Sequence, residues 1–219
     1  MNLLALSDIH GETRLVDRLA DRLSEADVVL LAGDITNFGG RDEMCRILDV
    51  FEGYTRCILA VHGNCDLPAA EEELVRRGLS VDGRRKHIKG VCFTGIGGSL
   101  PCIGRTPSEM EESVFTDILD VYAPEEGEGS PLVFLSHQPP YGTKIDRISR
   151  EDRHGGSRAI RRFIEERGPV LAVSGHVHES RGLDKVNQTV VVNPGPFRSG
   201  NYAVVEIQGG TVDAKLYHI

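Results

Sequence analysis

The sequence predicts an α/β fold in which two sheets pack together with helices outside. Three features carry this expectation. Five short apolar runs recur along the chain, at 3–6, 28–32, 57–61, 132–135 and 170–173. Their length suits buried strands better than helices. Amphipathic helical segments separate the first three runs, and strand–helix–strand order implies parallel strands joined by right-handed crossovers. Each run also delivers Asp, Asn or His at its carboxyl end, the edge where ligands bind in α/β sheets.

The first run leads into Asp8-Ile9-His10-Gly11. Residues i and i+2 of an extended segment point to the same side, so Asp8 and His10 can face one ion. One such pair says little alone, because Asp also serves in caps and turns. Residues 12–26 carry Leu15, Val16, Leu19 and Leu23 on one face and read as an amphipathic helix. The second run ends in Gly33-Asp34. After a loop, 42–51 reads as a helix with Met44, Ile47, Leu48 and Phe51 inward, ended by Gly53. The third run ends in His62-Gly63-Asn64-Cys65-Asp66, and Pro68 opens a helix that Gly78 stops.

Beyond Gly78 the texture changes. The stretches 79–81, 87–88 and 91–96 are short strand candidates between glycine turns, and Arg84-Arg85-Lys86 reads as a solvated turn. Gly95-Ile96-Gly97-Gly98-Ser99 resembles a phosphate cradle, but close backbone approach at a strand end explains it better. A helix is expected over 106–119 with Pro107 at its start. An acidic loop is expected at 124–131. The fourth run ends in Ser136-His137, and a long loop to Gly156 follows, holding Lys144, Arg147, Arg150, Arg153 and His154. Ser157 is placed to cap a helix through Glu166. The fifth run ends in Ser174-Gly175-His176-Val177-His178, and the runs flanking Gly209-Gly210 read as a β-hairpin.

The 219 residues carry a net charge of -8, which opposes non-specific nucleic-acid and anionic-membrane binding. A phosphate must then be held by a local site, such as bound cations. Five cysteines with no CxxC pair argue for reduced thiols and a cytoplasmic location. The run near Met1 is too short for a secretory signal, and none approaches the roughly 20 apolar residues of a membrane span. With no linker or internal repeat, residues 1–219 read as one domain.

Taken in order, Asp8-x-His10, Gly33-Asp34, Gly63-Asn64-Cys65-Asp66, Ser136-His137 and Gly175-His176-x-His178 resemble the calcineurin-like metallophosphoesterase family. Pro139-Pro140-Tyr141-Gly142 and Asn193-Pro194-Gly195-Pro196 further resemble a bacterial and archaeal subgroup of predicted phosphoesterases with the Gly-Asn-Cys-Asp form. The resemblance implies a four-layer α/β/β/α sandwich of two mixed sheets around a dinuclear metal centre. It assigns Asp8, His10 and His178 to one ion, and Asn64, His137 and His176 to the other. The same resemblance implies that Asp34 would bridge them and that a metal-bridging hydroxide would attack the phosphorus. Imidazole and carboxylate ligands suit Mn first, with Fe, Zn or Ni as alternatives. His62, His87 and His218 match no motif and are read as structural or surface histidines.

Cys65 departs from the family pattern, which has His there. That His is thought to bind substrate and protonate the leaving oxygen. A thiol of pKa about 8.5 is a poorer donor than an imidazole near 6.5. Asn64, Cys65, Asp66 and His137 are therefore the expected catalytic group. Asn64, Lys144, Arg147 and His154 are the expected substrate contacts. The leading expectation is a phosphodiesterase acting on a small phosphoester such as a nucleotide. A nucleotide or protein phosphomonoesterase and a non-catalytic protein-binding scaffold of the same fold are the alternatives.

Overall fold

The computed structural model describes residues 1–102, 104–121, 129–149 and 152–219. The expected acidic loop falls largely on 124–128, and Arg150 also lies outside the described residues. One sheet contains β1 (Asn2–Leu6), β2 (Val28–Ala32), β3 (Ile58–Val61), β12 (Asn201–Gln208) and β13 (Thr211–His218). The other contains β4 (Lys86–Ile88), β5 (Val91–Ile96), β6 (Leu132–Ser136), β9 (Leu171–Val173), β10 (Gly182–Val186) and β11 (Thr189–Asn193). A small hairpin joins β7 (Arg147–Ile148) to β8 (Arg153–His154). The first sheet runs β13-β12-β1-β2-β3 and the second β10-β11-β9-β6-β5-β4. Strands β1, β2 and β3 are mutually parallel, as are β5, β6, β9 and β11, while antiparallel strands lie at one edge of the first sheet and both edges of the second.

Residue alternation builds the layers. On β1, Leu3 and Ala5 face the second sheet, while Leu4 and Leu6 face helices. Val28, Leu30 and Ala32 join the inner layer with Val133, Leu135, Leu171 and Val173 from across the gap. Helices α1 (Ala20–Glu25), α2 (Arg41–Glu52) and α3 (Pro68–Arg76) flank the first sheet; Leu23, Met44, Phe51 and Leu74 join its outer layer. Helices α4 (Glu112–Val121) and α5 (Arg158–Arg167) pack Phe115, Ile160 and Phe163 on Phe134 and Ala172 of the second. The result is an α/β/β/α sandwich of two mixed sheets.

Several elements differ from expectation. The helix expected over 12–26 begins late, as a 3-10 turn at Val16–Leu19 that passes into α1. The backbone before it is already committed: His10 and Gly11 donate to the carbonyls of Asp34 and Ile35. The helix expected from Thr106 starts at Glu112. Ser108 and Met110 instead exchange backbone hydrogen bonds with Ser99, which holds 108–110 extended. Residues 79–81 form only a bridge between Ser80 and Ala60. The long loop after His137 is organised around buried Asp146, which accepts from the backbone of Gly142, Thr143 and Gly156. The Ser157 cap is present, its hydroxyl accepting from Ile160 N–H. So is the hairpin, where Gly209 and Gly210 both take positive φ between paired Gln208 and Thr211. Gly95 also behaves as expected, since a Cβ there would sit 2.3 Å from the Leu135 carbonyl oxygen.

Candidate metal centre

The carboxyl ends of β1, β2 and β3 bring Asp8, His10, Asp34 and Asn64 to one point. The ends of β6 and β9 bring His137, His176 and His178 to the same point from the other sheet. Asp34 occupies the middle. Its Oδ2 lies 3.7 Å from His10 Nε2 and its Oδ1 3.5 Å from His137 Nε2. Asp8 Oδ1 lies 3.1 Å from His178 Nε2, which is 3.4 Å from His10 Nε2. The rings of His137 and His176 are 5.1 Å apart. All seven candidate ligands therefore converge. Donor atoms of Asp8, His10 and His178 lie within 4.8 Å of one another, as do those of Asp8, Asp34 and His137.

The glycines of these motifs make the convergence possible. A Cβ on Gly33 would meet the His137 ring at 2.4 Å, one on Gly63 would meet Asp34 Oδ1 at 2.1 Å, and one on Gly175 would meet Asp8 Oδ2 at 2.7 Å. Backbone strain is concentrated here too. Asp8, His10, Asp34 and His176 adopt φ of 53°, 46°, 49° and 66°, the left-handed region that non-glycine residues avoid.

The donor set fits cations. Asp8 Oδ2 and His10 Nδ1 are buried and have no hydrogen-bond partner among the described residues. His137 Nδ1 lies 2.8 Å from the carbonyl oxygen of Ala32, the arrangement that fixes a ligand ring in other metal sites. Its Nε2 then faces Asn64 Oδ1 at 2.9 Å. The Asn64 orientation follows from Thr106, whose hydroxyl donates to Glu109 and accepts from Asn64 Nδ2. With Nδ1 donating to Ala32, the His137 Nε2 is left facing another acceptor, a pairing that a cation between them satisfies.

Electrostatics agree. Burial lowers His10 to a pKa of about 4 and His176 to about 3, so both rings are neutral at pH 7 and free to ligate. Burial opposes ionisation of Asp8, but the hydrogen bond and charge of His178 outweigh it and hold the carboxyl below its usual range. Burial, with the Asp34 charge adding to it, pushes the Cys65 thiol up, so it remains protonated.

Cys65 belongs to the site: its sulfur lies within 4.8 Å of donor atoms of His10 and Asp34, and its N–H donates to Asp34 Oδ1 at 2.8 Å. Asp66 faces away. Its oxygens accept from the backbone N–H of Gly63, Ile35 and Thr36 and from the Thr36 hydroxyl, so it ties the β2 and β3 loops together. Arg147 pairs with Asp152, and His154 Nδ1 lies 2.7 Å from Asp146. The Lys144 side chain is exposed, and its backbone N–H donates to Asp184. The hairpin backbone nevertheless reaches the His178 segment, where Ser149 N–H donates to Glu179 and the Ser180 hydroxyl to the Arg147 carbonyl.

Three further residues support the site. Thr106 and Glu109 orient Asn64, and their Thr-x-x-Glu spacing is that of a capping box. Arg198 sets its guanidinium 3.3 Å from His178 Nδ1 and lines an open cavity of about 590 Å³ with His10, Arg14 and Asn37. Only its place after Asn193-Pro-Gly-Pro could have marked Arg198.

Comparison with known proteins gives the same picture. The sequence profile of the calcineurin-like phosphoesterase superfamily domain matches residues 1–210. An uncharacterized protein of Methanocaldococcus jannaschii, MJ1162, is 35% identical over 200 residues, 90% of this chain and 88% of that protein. The fold superposes on TT1561 of Thermus thermophilus with a TM-score of 0.74 at 19% identity, covering 98% of this chain and 97% of that one. It also superposes on purple acid phosphatase PPD1 from yellow lupin, with a TM-score of 0.66 at 11% identity, covering 100% of this chain and 51% of the other. Among the described residues no helix is long and apolar enough to cross a membrane. With a profile match that spans residues 1–210, the chain belongs to the calcineurin-like phosphoesterase superfamily of metal-dependent hydrolases.

Proposed function

We propose that this protein is a phosphodiesterase whose seven converging ligands hold two divalent transition-metal ions, manganese foremost. Asp8, His10 and His178 serve one ion, Asn64, His137 and His176 the other, and Asp34 both. The placement of Asp34 carries this reading, because its two oxygens face histidines of the two different sets. When bound, such a pair activates a water and neutralises phosphate oxygens. Residues 1–219 act as one unit in this reading, since both sheets contribute ligands.

The protein's own groups do the rest. The Asp66 hydrogen bonds hold the Asp34 and Asn64 loops in register. Thr106 keeps the Asn64 amide oxygen turned toward His137. Arg198 places a fixed positive charge beside the cavity, suited to an anionic or nucleotide portion of the substrate. Lys144, Arg147 and His154 would form an outer wall, because the hairpin that carries Arg147 and His154, with Lys144 in the turn before it, leans on the segment after His178. Cys65 favours a diester: its neutral thiol adds no positive charge for a dianion and is a weak proton donor. No disulfide links the five cysteines, which is compatible with a reducing, cytoplasmic setting.

The test is metal content together with a matched panel of mono- and diesters assayed with Mn, Fe, Ni and Zn. Asp34→Asn should reduce bound metal more than His10→Ala or His178→Ala, because Asp34 alone serves both ions. A variant with two metals and full activity would remove Asp34 from the bridge.

A further inference from the structure

We propose that His62, Asp82 and Glu71 form an additional cation site, separate from the seven-ligand centre and suited to a zinc-type divalent ion. His62 follows β3 and is 8% exposed. Its ring lies over the glycines that follow β5. A Cβ on Gly97 would meet His62 Nδ1 at 2.2 Å and Cε1 at 2.4 Å. The Gly97-Gly98 pair, which the proposed reaction does not use, thus clears the space in which this imidazole sits.

Two carboxylates converge on the same nitrogen. Asp82 Oδ2 lies 3.0 Å from His62 Nδ1 and Glu71 Oε2 lies 3.9 Å from it. The three donor atoms fall within 4.8 Å of one another. Nδ1 is buried, and its contacts with the two carboxylates are ionic rather than well-directed hydrogen bonds. A buried nitrogen on which two carboxylates converge in this way is well placed to share a cation with them. One imidazole and two carboxylates match a three-ligand site with an open position for water. A cavity of about 470 Å³ opens beside them, with room for that water.

The supporting backbone is fixed. Gly98 N–H donates to the His62 carbonyl at 3.0 Å, Val81 N–H to Ala60 at 3.0 Å and Gly83 N–H to Gly95 at 3.0 Å. Pre-set ligands need little reorganisation on binding. Arg84 also lines the cavity, but its guanidinium is engaged by the Asp82 carbonyl at 2.8 Å. A divalent cation balances the two carboxylates with His62 neutral; an imidazolium and Arg84 would balance them without any metal. The experiment must separate these two arrangements.

Chelator-stripped protein is titrated with Zn²⁺, and bound metal is counted after desalting. Cd²⁺ loading followed by ¹¹³Cd NMR resolves individual sites. Glu71→Gln should lose one equivalent relative to wild type and remove one cadmium resonance, leaving the others unmoved. His62→Gln should do the same. Glu71 is partly exposed, so its variant stays informative if the buried His62 substitution misfolds. In an Asp34→Asn background, the equivalent removed by Glu71→Gln should persist, which separates this site from the main centre whatever that centre holds. Equal metal content and identical cadmium spectra in wild type and Glu71→Gln would overturn the proposal and leave His62 as an ion-paired imidazolium.

Discussion

Gly63→Ala tests the construction of the centre without deleting any ligand. A Cβ at this position would lie 2.1 Å from both the backbone nitrogen and Oδ1 of Asp34, and 2.8 Å from its Cα. Ordinary contact begins near 3.4 Å, so one element must retreat by more than an ångström. Asp34 cannot rotate away cheaply. Its backbone is already left-handed at φ 49°, and its Oδ1 is held by Cys65 N–H at 2.8 Å. Metal–ligand distances tolerate about 0.2 Å, several times less than the required shift. Overpacking of this kind costs about 1–3 kcal/mol. In a domain of this size each kcal/mol moves Tm by about 2–4 °C, so the metal-free variant should melt roughly 2–12 °C lower. Bound metal after dialysis should fall well below wild type. Gly129→Ala is the control, since among the described residues nothing lies within 4 Å of its added methyl. Elemental analysis and thermal melts of stripped and loaded protein read the outcome. Wild-type metal content with an unchanged Tm would refute the claim that Gly63 makes room for Asp34.

Cys65→His should raise kcat/KM for an aryl monoester relative to the matched diester, by up to about the 10²–10⁴-fold of general acid catalysis. An unmoved ratio, or a wild type that already prefers the monoester, would show that Cys65 does not set the preference. Replacing Lys144 and Arg147 with Ala should raise KM and leave metal content unchanged if their hairpin borders the substrate; an unchanged KM would assign them to a solvated surface. The histidines predict a pH effect on the metal-free protein. His10 and His176 have folded pKa values of about 4 and 3, below the unfolded value near 6.5, so the unfolded chain binds more protons between these limits. Their contribution to stability is therefore lost as pH falls through 6.5 toward 4. His62 and His178 shift upward and act in the opposite sense, so the comparison must be made within one site. Urea melts of stripped wild type and His10→Gln should show the variant gaining relative stability from pH 7 to pH 4.5, and parallel pH profiles would contradict this.

The strands and the candidate ligand positions were legible because the pattern of this chain is strong. Alternation on β1 separates Leu3 and Ala5 from Leu4 and Leu6, and each buried run ends where a candidate ligand begins. The helix expected at Thr106 failed for a local reason. Thr106-x-x-Glu109 does close a capping-box contact, Thr106 N–H to Glu109 at 2.8 Å, but Ser99 captures the next backbone groups. That pairing is long-range and leaves no periodic trace. Left-handed φ at Asp8, His10, Asp34 and His176 was equally invisible, because Asp and His carry no sequence mark of the conformation that glycine advertises. Arg198 escaped for another reason: it follows a chain reversal, and its proximity to His178 exists only once β12 lies beside β1. Asp66 is the reverse case. Its place in a motif suggests chemistry, and its oxygens serve four donors on two loops, which the sequence does not reveal.

The meeting of ligands from both sheets has a mechanical consequence. Between the sheets lies mostly an apolar layer, and apolar contacts resist separation far better than sliding, because they have little directionality. At the carboxyl edge, His137 crosses that layer to the Ala32 carbonyl and to Asp34. Cations held by Asp8, Asp34 and His137 would add directional bonds at the same edge. They would act as a pin through two stacked plates, suppressing shear at one end while the opposite edge stays free to move. Substrate approaching the pinned edge would meet a rigid floor, and the compliance of the sandwich would be displaced to the far side, away from the reacting atoms.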